Sequence, residues 1–289
     1  MAILQFVADR QAIWSATANS LKSRINLARK ASFSLSIAGA LVASLASMQA
    51  VDGLVRTILI STGAIALAIT GIIGSRILTS EGVRQQIRAR AASEALKREA
   101  YLYATSAGDY SDPGTRDAKL KSAQQKIEDQ VTDLTLLQRQ AEHAGSSPRS
   151  GLSFDDYLKD RIEGQIAFYI NNSEKYHKLS RVLHAAEFTL AFVAAILTAL
   201  AGAIGKGAFD IAAIIGVLTT CAAAVVAHLQ ASHYDDLIVG YRAAASKLQS
   251  LKATTENTTP VAVLASTAEE ILAAETNSWQ AMWSKNKSQ

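Results

Sequence analysis

SMQAVDGLVRT, residues 47–57, places an acid and a base, Asp52 and Arg56, four apart between two long uncharged runs. To the left, Ala31 to Val51 contains no Asp, Glu, Lys or Arg, and to the right Thr57 to Ser75 contains none. Two more such windows follow, Phe188 to Gly205 and Ile211 to Tyr234, the second holding only His228 and His233 as titratable bases. A helix rises about 1.5 Å per residue, so about 20 residues cover the roughly 30 Å hydrocarbon core of a bilayer. A surface helix of a globular protein keeps one wet face, and these windows have no charged face at all. The pattern predicts four membrane spans, near 31–51, 57–77, 185–205 and 209–230.

Asp52 and Arg56 then mark where the chain leaves the bilayer, because either would cost about 2.5 to 3.5 kcal/mol at the centre of a membrane helix. Asp52-Gly53 is also turn chemistry: the Asp side chain bonds its own backbone and Gly accepts positive φ. The first two spans are expected to form a helical hairpin, and GKGAFD, residues 205–210, repeats the device between the third and fourth. A signal peptide fits the first window poorly, since thirty residues precede it and no small-x-small cleavage site follows.

The charges argue for sidedness. Of the 29 Lys and Arg, the first thirty residues hold five, the segment from Arg76 to Glu187 holds seventeen, and the two turns hold one each, Arg56 and Lys206. By the positive-inside rule both termini and the central segment are expected to be cytoplasmic and both turns to face out. The net charge of +4 is then topology, with some attraction to anionic lipid, and not a nucleic-acid footprint.

The remaining chain reads as helix. Leu158, Ile162, Ile166, Tyr169, Tyr176, Leu179 and Leu183 are spaced mostly by three and four. Tyr234, Leu237, Tyr241, Ala244, Leu248 and Leu251 step alternately by three and four, the seam of a coiled coil and a candidate oligomer contact. Gly, Pro, Ser and Asp collect in residues 106–117 and 144–151, which should be loops. The expected class is all-α: an integral membrane protein of two transmembrane hairpins with a cytoplasmic helical bundle or coiled coil. It divides into two units of like layout, 1–145 and 151–289.

Site chemistry is sparse. Cys221 is the single cysteine, which excludes a disulfide framework within the chain. The five histidines, His143, His177, His184, His228 and His233, fall into no metal-binding spacing. No nucleophile-base or paired-carboxylate arrangement is evident, so neither an enzyme nor a bound cofactor or metal is expected. His184 and Glu187 at the start of the third span, with His228 at the end of the fourth, are candidates for an inner pore mouth. Asp52 and Asp210, at the outward turns, are candidates for an acidic outer vestibule that concentrates cations. Small and hydroxylated residues recur in the spans, among them Gly39, Ser44, Thr62, Gly63, Thr198 and Thr219. They allow close helix packing in lipid or line a water-filled path.

YLKDRIEGQIAFY, residues 157–169, with Tyr157, Arg161, Gln165 and Tyr169, resembles the helix that leads into the membrane hairpin of SLATT proteins, bacterial two-span effector domains associated with nucleotide-signalling conflict systems. EILAAETNSW, residues 270–279, with Glu270, Glu275 and Trp279, is similar to that family's closing helix. The second half thus resembles a complete SLATT unit, and the first half resembles the layout of a second subtype in tandem. The resemblance implies a homo-oligomeric pore that permeabilises the bacterial inner membrane in antiviral defence, multi-pass with both termini inside. Its implied partners are the lipid bilayer, ions, and a nucleotide signal or a sensor protein. On the residues alone, an ordinary constitutive or ligand-gated ion channel and a non-conducting scaffold that recruits a cytoplasmic partner remain open.

Overall fold

The computed structural model describes residues 2–47, 53–141, 145–204, 211–256 and 258–285. The described residues are helical apart from short connections, and none of them is a strand. In order they form α1 (Ala2–Ser47), α2 (Gly53–Arg76), α3 (Ser80–Ala104), a 3-10 turn (Gly108–Tyr110), α4 (Arg116–Asp129) and a second 3-10 turn (Thr132–Leu137). A single turn α5 (Phe154–Asp156) leads through a π-helical turn (Tyr157–Glu163) into α6 (Gly164–Ile204), followed by α7 (Ile211–Ser232), α8 (Tyr234–Thr254) and α9 (Val261–Lys285). Residues 106–115 and 145–153 are largely loop, as their Gly, Pro and Ser content predicts.

The chain packs as two units, each drawing on both halves of the sequence. One comprises Arg24–Ser80 and Tyr176–Asp235; the other comprises Met1–Ser23, Glu81–Lys175 and Asp236–Gln289. We call them the apolar and the polar unit.

In the apolar unit many large hydrophobic side chains are exposed. Three helical stretches, Gly53–Arg76, Phe154–Gly202 and Ile211–Thr254, contain a run long and apolar enough to cross a membrane. Only 6%, 6% and 11% of those runs is buried. A soluble protein buries such helices, whereas here Leu54, Ile58, Ile65 and Ile72 of α2 and Phe188 and Phe192 of α6 stand exposed, the surface expected where lipid is the solvent. The expected first span, 31–51, runs past Ser47 into residues 48–52, which lie outside the described residues; its 31–47 form the end of the unbroken α1.

Small residues make the contacts inside this unit. A Cβ built on Gly63 of α2 would lie 3.2 Å from the Gly39 carbonyl oxygen and 3.6 Å from the Ala43 Cβ of α1, so two helix backbones meet at bare glycines. Ser44 of α1 donates to the Ala213 carbonyl of α7 at 3.3 Å. The threonines bond back to their own helices: Thr62 to the Ile58 carbonyl, Thr70 to Ala66, Thr198 to Ala194 and Thr219 to Ile215. Each hydroxyl is thereby satisfied without water, which suits it to hydrocarbon.

The polar unit has a conventional core, with Leu4, Val7, Trp14, Leu96, Leu120, Leu134, Ile162, Leu248 and Leu264 almost fully buried. Glu128 of α4 accepts from Arg10 Nε and Trp14 Nε1 of α1 at 2.6 and 2.9 Å, tying those helices together. The three-four stripe of α8 finds its cover here: Tyr241, Ala244 and Leu248 are buried. Tyr241 and Leu248 of the candidate oligomer seam pack within their own chain. Tyr234, Leu237 and Leu251 are half-buried.

Candidate functional site

The polar unit carries a buried line of charged and hydroxylated side chains. On α3, Arg90, Glu94, Lys97 and Tyr101 recur at intervals of four, three and four, which places them on one stripe of the helix. Tyr157, Arg161, Gln165 and Tyr169 recur every four residues through the π-turn into α6. Glu269 and Glu275 come from α9 and Tyr241 from α8.

At the centre is an ion pair. Arg161 Nε and Nη2 donate to the two Glu269 carboxylate oxygens at 2.7 and 2.8 Å, and Tyr157 donates its hydroxyl to Glu269 Oε1 at 3.1 Å. Side-chain exposure is 3% for Arg161 and 1% for Glu269, so the pair is dry. The guanidinium also lies over the Tyr101 ring, 4.4 Å from its centroid, and Tyr101 meets Tyr157 edge-on. Burial opposes the Arg161 charge, yet Glu269 more than offsets it and raises the Arg161 pKa. Burial and the Glu269 carboxylate likewise push the Tyr157 pKa up.

The line continues on both sides. Tyr169 donates to Glu275 Oε2 at 3.5 Å, and burial raises the pKa of that carboxyl. Burial works against the Arg90 charge, and Tyr241, Glu94 and Glu275 outweigh it. Lys97 makes no hydrogen bond and no ion pair among the described residues, although it is only 9% exposed. Burial, with Arg161 and Arg90 beside it, pushes its pKa down to about 8. Three basic and three acidic side chains thus share a largely dry environment, a costly arrangement because each ion gives up hydration that only close pairing repays.

Glu269 is not among the motif residues read from the sequence, whereas its neighbour Glu270 is. Glu270 is exposed. The reason is helical phase: Leu264, Ala265, Ala268 and Leu272 form the buried stripe of α9, and Glu269, four after Ala265 and three before Leu272, falls on it while Glu270 does not. That apolar stripe was readable from the sequence. Gln165 is half-buried and makes no side-chain hydrogen bond among the described residues, and Trp279 lies in α9. A cleft of about 180 Å³ between α8 and α9, lined by Leu237, Tyr241, Lys247, Ile271, Glu275 and Ser278, reaches the end of the polar line.

The other candidates lie in the apolar unit. His184 Nδ1 is 3.4 Å from Glu187 Oε2, and its Nε2 is 3.6 Å from Asp235 Oδ2, an acid that the sequence reading missed. Ser180 donates to the other Asp235 oxygen at 2.8 Å. His228 has different neighbours, the Phe33 ring at 5.1 Å and the Tyr234 hydroxyl at 3.4 Å from its Nε2. Asp52 and Asp210 lie outside the described residues. Among the described residues no group of three or more His, Cys, Asp or Glu is placed to hold a metal ion.

Two families match the chain. Residues 157–279 match the family described as SMODS and SLOG-associating 2TM effector domain 1, SLATT_1. Residues 12–118 match a family described as protein of unknown function, DUF4231. The two matches follow one another in tandem. No curated protein and no solved structure matches.

Proposed function

We propose, for a chain whose residues 157–279 belong to the SLATT family of two-span effector domains, that it is an oligomeric pore which permeabilises the bacterial inner membrane in a nucleotide-linked defence system. The observation that carries the reading is the outward apolar surface of α2, α6 and α7 in a chain with an effector domain. The reading adds a fourth span at 31–51, both termini in the cytoplasm, and two tandem units, 1–145 and 151–289. It acts by conduction and not by catalysis, with a nucleotide or a separate sensor protein as trigger. Asp52 and Asp210 line the outer mouth, and His184, Glu187 and His228 lie toward the inner one.

Single cysteines at Gly53 and Gly207, on a Cys221→Ser background, test the topology: an impermeant reagent should reach both from the periplasmic side. Purified protein in liposomes should pass ions, and Asp52→Asn with Asp210→Asn should lower cation preference at low ionic strength, where the Debye length is about 30 Å. A second reading has its own support. Threonines that bond to their own helices leave fewer hydroxyls for a water path, which favours a non-conducting scaffold. No flux from a verified oligomer under any nucleotide, voltage or tension would decide for the scaffold.

A further inference from the structure

The π-turn and Glu269 belong to one device. Side chains advance about 100° per residue in an α-helix and roughly 80° in the wider π form. Counted from Tyr157, α-helical winding would spread Arg161 and Ile162 over an arc of about 140°, and π winding gathers all three within about 80°. All three are buried, and both polar members of the trio bond to Glu269. The unusual winding is therefore the form in which Tyr157 and Arg161 can reach one carboxylate while Ile162 stays in the core.

What lies beyond the turn gives this a consequence. α6 continues without a break from Gly164 to Ile204 and contains an apolar run long enough to cross a membrane. If the seven residues Tyr157–Glu163 rewind to the α form, the remainder of α6 turns about its own axis relative to Tyr157 by on the order of 100°. Glu269 sits on α9, more than a hundred residues away in sequence, so its attachment can change without breaking a backbone hydrogen bond of α6, and the Tyr169–Glu275 contact is released with it.

We infer that Glu269 is a latch on a winding switch: while α9 is docked it holds Tyr157–Glu163 in the π form, and when α9 withdraws the turn rewinds and rotates α6. The docked state is autoinhibitory. This rests on the pore reading for its functional effect and on the geometry alone for its motion. The other charged and titratable groups facing the latch are Lys97, Glu94, Arg90 and Tyr101 of α3 and Asp160 of the turn itself. Lys97 and Arg161 are the cationic groups left facing each other once the carboxylate leaves.

The test uses the full chain in lipid nanodiscs, with Glu269→Gln as the main variant and the exposed Glu270→Gln as control. Hydrogen exchange across residues 264–275 should rise by about 100-fold in Glu269→Gln, the release expected when a buried charge loses its partner. Cysteine labelling along residues 165–176, on a Cys221→Ser background, should shift its helical phase by a quarter turn or more. Both should stay at wild-type values in Glu270→Gln. If Glu269→Gln fails to fold, Tyr157→Phe removes one of the three bonds and should give the same changes at smaller amplitude. Loosened α9 with unchanged labelling phase overturns the latch, and so does an α9 that stays protected. A phase shift without ion flux in liposomes leaves the latch standing and counts against the pore.

Discussion

The two units solve opposite problems with opposite materials. In the polar unit the charges are inside, with Arg161 and Glu269 sealed against each other at 3% and 1% exposure. In the apolar unit α1 and α2 meet at glycine and alanine, threonine hydroxyls bond within their own helices, and many large aliphatic side chains face out. Water drives a core together by expelling apolar surface, but in hydrocarbon that drive is absent and helices associate by close backbone packing. The same chain therefore places leucine inside one unit and outside the other, and the position of its charges follows from that.

Breaking the central ion pair should produce the largest effect. Arg161→Met leaves Glu269 buried and uncompensated, and should destabilise the polar unit by about 3 to 5 kcal/mol in denaturant titration. Adding Glu269→Leu should recover most of that loss, because well-packed apolar groups replace buried ion pairs at little cost. A double variant as unstable as the single one would show that the pair is needed for more than its own neutralisation.

The apolar unit answers to volume instead. Gly63→Leu drives a side chain into the Gly39 carbonyl and should cost about 1 to 3 kcal/mol of hairpin stability in detergent unfolding. Gly71→Leu, where nothing lies within 4 Å, should be close to neutral. Equal losses at both positions would mean that the glycines act through backbone freedom and not through contact.

Lys97 makes the contrast pH-dependent. Its pKa is held down to about 8, so folded and unfolded chains are both protonated below that value and the burial penalty is fully present at neutral pH. As pH rises past about 8 the folded protein releases the proton first, and stability climbs toward the ordinary lysine range. Tyr157 and Tyr169 have raised values and act the other way: above about pH 10 the unfolded chain loses those protons first and stability falls. Melting temperature against pH should rise and then turn over. Lys97→Met should remove the rising limb and raise the neutral-pH melting temperature by about 2 to 4 °C.

The smallest effect is expected where hydroxyls meet lipid. Thr62→Val and Thr219→Val delete groups that bond only to their own helix, and each should change stability by less than about 0.5 kcal/mol. A clear change in liposome flux from either would place that threonine on the water side of a pore.

How much of this was legible in the sequence depends on the physics behind each feature. Long uncharged runs announce bilayer helices because the charge penalty is large and local, and α2, α6 and α7 carry such runs. Glu269 was legible in principle, since the apolar phase of α9 selects it over Glu270. Asp235, beside His184 across more than fifty residues, was not, because an exposed polar contact leaves no periodic trace. Nor was the π-turn: a seven-residue change of winding alters no composition and shows only in which side chains share a face. The stripe on α8 shows the limit of spacing: Tyr241 and Leu248 are buried within the chain, and a heptad pattern does not say whether the covering helix belongs to the same chain.

One feature of α2 sets a length. Arg56 stands near its start and Arg76 is its last residue. Twenty helical steps separate them, a rise of about 30 Å, which equals the usual hydrocarbon thickness. A helix with a cation at each end is a ruler. In a thinner bilayer it tilts, and in a thicker one both guanidinium groups are drawn below the headgroups, at a fraction of a kcal/mol for each ångström of mismatch. Acyl-chain length is therefore the variable against which a helix of this length and charge placement is expected to be matched.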